Sequence, residues 1–131
     1  VWLLRRGPVA MTVQVKSIKA RSTAAFSKRE ISVLFKKARR VYAQPGFHIL
    51  VAPATLSYGR ILIVTSRKVG NAPTRNKIRR RLKAIFYEER LFEKQLDCIV
   101  IVKPDGARSD FTTLKNLLKE VVDRHAPKYN Q

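Results

Sequence analysis

The chain has 131 residues, room for one domain and one modest core, and its 45% apolar content excludes wholesale disorder. Twenty-eight Lys and Arg against nine Asp and Glu give a net charge of +19, a balance that points to a large polyanion, either nucleic acid or an anionic membrane face. The one cysteine, Cys98, excludes an internal disulfide framework and a thiolate zinc cluster; His48 and His125 have no metal-ligand spacing, and no apolar run approaches the ~18 residues of a transmembrane helix.

Residues 1–25 contain no acid, and "VWLLRRGPVA" puts its apolar residues before its arginines, the reverse of a secretory signal. The expectation is a flexible basic N-terminal arm over 1–25; an organellar transit peptide is the alternative. A single folded domain is expected over 26–126, with 127–131 frayed. In "FSKREISVLFKKARRVY", Ser27 and Glu30 have capping-box spacing, and Phe26 and Ile31 occupy staple positions. Ile31, Leu34 and Phe35 follow helical spacing, and Ala38 and Tyr42 extend the stripe until Gln44-Pro45-Gly46 ends it. Phe47–Ala52 reads as a strand, and the β-branched run Arg60–Ser66 as an inner strand. A helix is expected over about 72–89, capped by Asn71 with Pro73 in its first turn. Asp97–Val102 is another inner strand, closed by Pro104-Asp105-Gly106. Asp110 caps a last helix whose stripe is Leu114, Leu117, Leu118, Val121 and Val122. The expected order is α-β-β-α-β-α: a single-domain α+β sandwich with a small mixed sheet. The short link between the first two strands favours an antiparallel pair, and the third strand can return parallel to the second.

Charge is unevenly placed. Residues 1–87 hold twenty Lys/Arg and one acid, Glu30, whereas residues 88–131 hold eight of each. The densest stretch is "SRKVGNAPTRNKIRRRLKAIF", Ser66–Phe86, with eight Lys/Arg and no acid. On a helix, Ile78, Leu82, Ile85 and Phe86 share one arc; Asn76, Arg80, Lys83 and Tyr87 lie opposite, with Arg75 and Arg79 on one flank and Lys77 and Arg81 toward the other. A merely solvated helix face normally alternates sign at i,i+4 spacing. Arg75–Arg79–Lys83 and Lys77–Arg81 are like-charged instead. Phosphate neutralisation accounts for tolerating them, and arginine suits bidentate phosphate contacts.

The ordered run Ser66-Arg67-Lys68-Val69-Gly70-Asn71-Ala72, then Arg75-Asn76-Lys77-Ile78-Arg79-Arg80, resembles the signature of the bacterial ribonuclease P protein component. The likeness extends to the strand at Asp97–Val102, the loop after it and the last helix, and more loosely to Glu30–Phe35 and the strand at Phe47, covering roughly 27–125. It implies a protein subunit that binds a large catalytic RNA and supports endonucleolytic removal of the 5′ leader from precursor tRNA, with the chemistry carried by that RNA and its Mg²⁺. By match of motif, Arg67, Lys68, Arg75, Asn76, Lys77, Arg79, Arg80 and Lys83 contact the RNA. Phe35, Lys36, Phe47 and His48 match a cleft that holds the single-stranded leader, where stacking plus cations suits any sequence. It further implies a left-handed β-α-β crossover, against the general rule, a cytoplasmic location (organellar if 1–25 is a transit peptide), and no membrane or small-molecule partner.

Read without the resemblance, Cys98 is a small buried hydrophobe, His125 suits a helix C-terminus, and the acids at Glu88, Glu89 and Glu93 are helix-surface charges. No enzyme constellation is visible. A ribosomal or nucleoid-type structural protein is the main competing reading, and a peripheral protein laying a basic amphipathic helix on a membrane is the third.

Overall fold

The computed structural model describes residues 18–126. Its elements in chain order are α1 (Lys28–Lys37), β1 (Arg39–Ala43), β2 (Phe47–Pro53), β3 (Ile61–Thr65), α2 (Ala72–Glu88), β4 (Leu96–Val102) and α3 (Phe111–His125). The α+β class and the small mixed sheet are as expected; the order gains one strand. The sheet runs β1-β2-β4-β3, with β1–β2 and β2–β4 antiparallel and β3–β4 parallel.

Helix α1 starts as its sequence dictates. Ser27 Oγ accepts from Glu30 N at 3.1 Å, and Glu30 Oε1 accepts from Ser27 N at 2.9 Å. It stops five residues before Tyr42, at an extended Ala38, and Arg39–Ala43 forms β1. Continuing the helix would stack Lys36, Lys37, Arg39 and Arg40 at i,i+3 and i,i+4, where like charges repel. In a strand, Arg39 and Arg40 point to opposite faces, Val41 and Tyr42 suit the pleat, and the backbone pairs with β2. A bulge between Arg40 and Tyr42 takes up Val41.

The expected antiparallel pairing of Phe47–Ala52 with Arg60–Ser66 is not formed. β2 and β3 run antiparallel but are not neighbours, because β4 lies between them. Six of its seven residues are buried, as a central strand's should be. The link over 54–60 therefore passes the start of β4. Ala54 N donates to Gln95 O at 3.1 Å, and Gly59 N to Phe92 O at 2.8 Å. A Cβ at Gly59 would collide with the Leu96 backbone, so only glycine lets the chain pass this closely.

Two cores lie on the two faces of the sheet. On one, α2 and α3 cover alternate residues of β2 and β4, including Phe47, Ile49, Val51, Val100 and Val102. On the other, Leu34 of α1 packs on Ala52 and Ile99. That helix covers only part of its face, leaving Leu50, Leu62, Val64 and Ile101 half-buried. The packed chain also reaches back across the expected 25/26 boundary: residues Ala20–Ala24 form a 3-10 turn against α2, Thr23 is buried, and Tyr87 Oη donates to Ile18 O at 3.3 Å. Residues 1–17, the bulk of the expected arm, and the expected frayed tail at 127–131 lie outside the described residues.

Candidate nucleic-acid interface

Helix α2 sits between opposing demands. Asn71 Oδ1 accepts from Thr74 N at 3.0 Å, capping the start, and Pro73 occupies the first turn. Its like-charged i,i+4 pairs each cost about 0.2–0.5 kcal/mol. Burial of Ile78, Leu82, Ile85 and Phe86, each at most 5% exposed, contributes about 1.5–3 kcal/mol per side chain and outweighs that repulsion. The apolar face is thereby used up in the core, which leaves no free apolar stripe on this helix to lay on a lipid surface.

The remaining faces carry cations. Asn76, Lys77, Arg80 and Lys83 are exposed, and Arg75, Arg79 and Arg81 half-buried. Arg67 and Lys68 are exposed on a one-turn 3-10 segment, Arg67–Val69, just before the helix. The turn into α2 places Gly70 at φ +156°, on the edge of the region that favours glycine. Among the described residues, none of these cations lies within salt-bridge distance of a carboxylate; the six ion pairs all involve other bases. Tyr87, expected on the exposed side, is instead half-buried and stacks on Phe92 with ring centroids 5.6 Å apart.

Arg79 is held in place. Its Nη2 donates to Thr65 Oγ1 on β3 at 2.7 Å, and its Nη1 to Asn76 Oδ1 at 3.2 Å. With the Asn76 carbonyl occupied, its amide N–H₂ remains a donor for an incoming acceptor such as phosphate. Arg81 has a different neighbourhood. Its charge, after the hydrogen bonds from Thr113, helps hold the capping carboxylate of Asp110 below the usual range.

The second expected site lies where α1 leaves the sheet uncovered. Phe35 is 43% exposed, about 100° around the helix from Leu34. His48 alternates with Leu50 on the same sheet face, and loss of solvent, then the charges of Lys103 and Arg40, push its pKa below the ordinary 6.5. Two of the expected four residues do not join them. Phe47 points through the opposite face into the α2/α3 core, 5% exposed with its ring against Gly106, because neighbouring strand residues face opposite ways. Lys36 lies about 200° around α1 from Leu34, on the solvent side. Arg40 and Lys103, which the sequence reading did not single out, supply the cations beside His48. Recognising β1 as a strand would have exposed Arg40, since Arg40 pairs with Leu50.

One basic residue is withdrawn from any surface. Arg60 is 4% exposed. Its N donates to Asp97 Oδ1 at 2.9 Å, Nη1 to Ala25 O at 2.8 Å and Glu30 Oε2 at 2.9 Å, and Nη2 to Thr55 Oγ1 at 3.3 Å. The guanidinium carbon sits 4.2 Å from the centre of the Phe26 ring. The Ser27 N–H, then Arg60, hold the Glu30 carboxyl below the usual range, while burial pushes Asp97 up. Cys98 is fully buried, and burial pushes its thiol up, as befits an inert core residue. Among the described residues, no group of three or more His, Cys, Asp or Glu is placed to hold a metal ion.

The chain matches the family described as Ribonuclease P over residues 21–126. It is 29% identical over 100 residues to the ribonuclease P protein component of Petrotoga mobilis, covering 72% of this chain and 84% of that protein. Identity to the Thermus thermophilus ribonuclease P protein component is 35% over 80 residues, or 61% of this chain and 48% of that longer protein. The solved structure of the RNase P protein from Thermotoga maritima superposes with a TM-score of 0.66 at 27% identity, over 77% of this chain and 96% of that one.

Proposed function

Because the chain belongs to the bacterial ribonuclease P protein family, we propose that it is the protein subunit of ribonuclease P, binding the catalytic RNA and the 5′ leader of precursor tRNA during endonucleolytic removal of that leader. The observation that carries this reading is the face of α2, where Lys77, Arg80 and Lys83 stand exposed with no carboxylate partner among the described residues. Such a face neutralises phosphates and releases their counterions on binding. Arg67 and Lys68 extend it across the loop, and Arg75, Asn76 and Arg79 border it. The opening beside α1 takes the leader: Phe35 stacks on a base, and His48, Arg40 and Lys103 meet its backbone.

In this reading the protein positions RNA and the RNA performs the cleavage. Mg²⁺, bound mainly by the partner RNA, supplies the metal chemistry, and the described residues offer no carboxylate cluster for it. By bringing cations to crowded phosphates, the protein lowers the Mg²⁺ the complex needs. The place of work is the cytoplasm.

Reconstitution tests the proposal. RNA-free protein should leave precursor tRNA intact, and adding the cognate catalytic RNA should give 5′ cleavage at a Mg²⁺ concentration where that RNA alone is nearly silent. Metal-dependent cleavage by RNA-free protein, or an RNA whose Mg²⁺ requirement the protein does not change, would overturn it.

A further inference from the structure

Strand β3 is apolar until its last residue, Thr65. Side chains alternate along a strand, so Ile61, Ile63 and Thr65 share the face covered by α2, in register with Cys98, Val100 and Val102 of β4. Ile61 and Ile63 pack in the core, and Thr65 is half-buried at its rim. A valine would continue the apolar run here. The hydroxyl instead meets the guanidinium of Arg79, whose Nη2 donates to Thr65 Oγ1 at 2.7 Å.

That bond governs more than its own two residues. Arg79 stands at i,i+4 spacing from both Arg75 and Lys83, and their like charges repel it. Untethered, its long side chain would sample many rotamers, and ordering it on binding would cost affinity. Thr65 settles the rotamer beforehand. Arg79 Nη1 then donates to Asn76 Oδ1 at 3.2 Å. A guanidinium accepts no hydrogen bond, so Asn76 can meet it only through the carbonyl, and the Asn76 N–H₂ is turned the other way. Asn76 is exposed. Thr65, Arg79 and Asn76 thus form a chain from the rim of the core to the surface, each link fixing the next. Its outer end presents donors alone: among the described residues, neither the Asn76 N–H₂ nor the remaining Arg79 N–H groups have a hydrogen-bond partner.

We propose that Thr65 is a positioning residue for RNA binding. It touches no RNA itself. It holds Arg79, and through Arg79 the Asn76 amide, so that a cation and a neutral donor meet the oxygens of one phosphate together. The assignment rests on the α2 face being an RNA contact of this chain, and it adds to that face an uncharged residue of β3, outside the basic segment.

The test uses the full chain and the cognate catalytic RNA, with Thr65→Val and Thr65→Ser as variants. Valine keeps the branched shape and suits a strand, and water reaches the freed, half-buried guanidinium, so the melting temperature should hold. Thr65→Val should bind the RNA about 3- to 10-fold more weakly. Its log-affinity against log-salt slope should stay at the parent's value, because no cation is removed. Thr65→Ser keeps the hydroxyl and should restore the parent's affinity. In the free protein, the NMR resonances of the Asn76 side-chain amide should move in Thr65→Val and stay in place in Thr65→Ser. Arg79→Ala should reduce the magnitude of the slope by about 0.7–0.9, and adding Thr65→Val to it should cost nothing more. The parent's affinity in folded Thr65→Val, whatever its melting temperature, would overturn the role and leave the bond as a strut between β3 and α2. Losses that add in the double variant would overturn it too. If Arg79→Ala weakens binding while Thr65→Val does not, the positioning is wrong and the ribonuclease P reading stands. If neither Arg79→Ala nor Arg80→Ala has an effect, both fall.

Discussion

Arg60 and Arg80 look alike in the sequence, two basic residues in a basic chain, yet they do opposite work. Arg60 is an internal strut whose guanidinium joins the chain before α1, α1 itself and the 54–60 link. Replacing it with alanine would leave Ala25 O and Thr55 Oγ1 without their donor and open space beneath Phe26. Arg60→Ala should therefore cost about 2–4 kcal/mol in urea denaturation and leave the salt dependence of RNA binding in the folded fraction unchanged. His48 makes a different prediction. Its pKa lies below 6.5 because solvent is lost and Lys103 and Arg40 are near. A phosphate brought to this place offsets those cations and raises the pKa, so binding takes up a proton. Leader affinity should rise as the pH falls below about 6.5, and His48→Gln should flatten that rise. Over the same window the free protein should lose stability, because the unfolded chain, with the higher pKa, binds the proton first. A leader affinity independent of pH between 7.5 and 5.5 would show that His48 does not face the bound strand.

At the scale of elements, α2 is the case where local cost and tertiary gain can be set against each other. Leu82 is 2% exposed in the middle of the buried arc, so Leu82→Ala should cost about 2–5 kcal/mol of folding stability. Thermal unfolding should record the loss, and RNA affinity should change only as the folded fraction does. This helix was legible in the sequence because its cap, its apolar arc and its charged faces all agree, and the structure places its ends within one residue of the expected 72–89. β1 was not legible. Leu34, Ala38 and Tyr42 keep a helical period, and only pairing with β2, a contact made across a turn, shows that Arg39–Ala43 is extended. The position of β4 between β2 and β3 was hidden for a similar reason, since the short 54–60 link resembles a hairpin until Gly59 is seen passing Leu96. The same limits explain the sites. Exposure of Asn76, Arg80 and Lys83 follows from helical periodicity alone, whereas the misplacement of Phe47 is a question of strand face, and the tie between Arg79 and Thr65 depends on how α2 docks on β3.

The whole molecule separates its charges by task. In the C-terminal third, Glu89 pairs with Lys115 and Lys119, Glu93 with Arg90, Glu120 with Arg124, and Asp123 with Lys94, while Asp97 is buried and Asp110 caps α3. That region balances itself. The excess charge stays with α1, β1, the 67–69 turn and α2, whose acids are Glu30, tied to Arg60, and Glu88, at the last residue of α2. Compactness thus comes from the apolar sheet and its helices, and the unbalanced cations await a partner that brings the opposite charge. The central claim is that the α2 face neutralises RNA phosphates. Its most direct test is the salt dependence of affinity for the cognate catalytic RNA, compared between the parent chain and Arg80→Ala. The variant should bind roughly 10- to 100-fold more weakly, its log–log slope should be smaller in magnitude by about 0.7–0.9, and its melting temperature should stay level or rise slightly as one like charge leaves a crowded helix. An Arg80→Ala protein that loses folding stability while keeping the parent's affinity and slope would contradict the account.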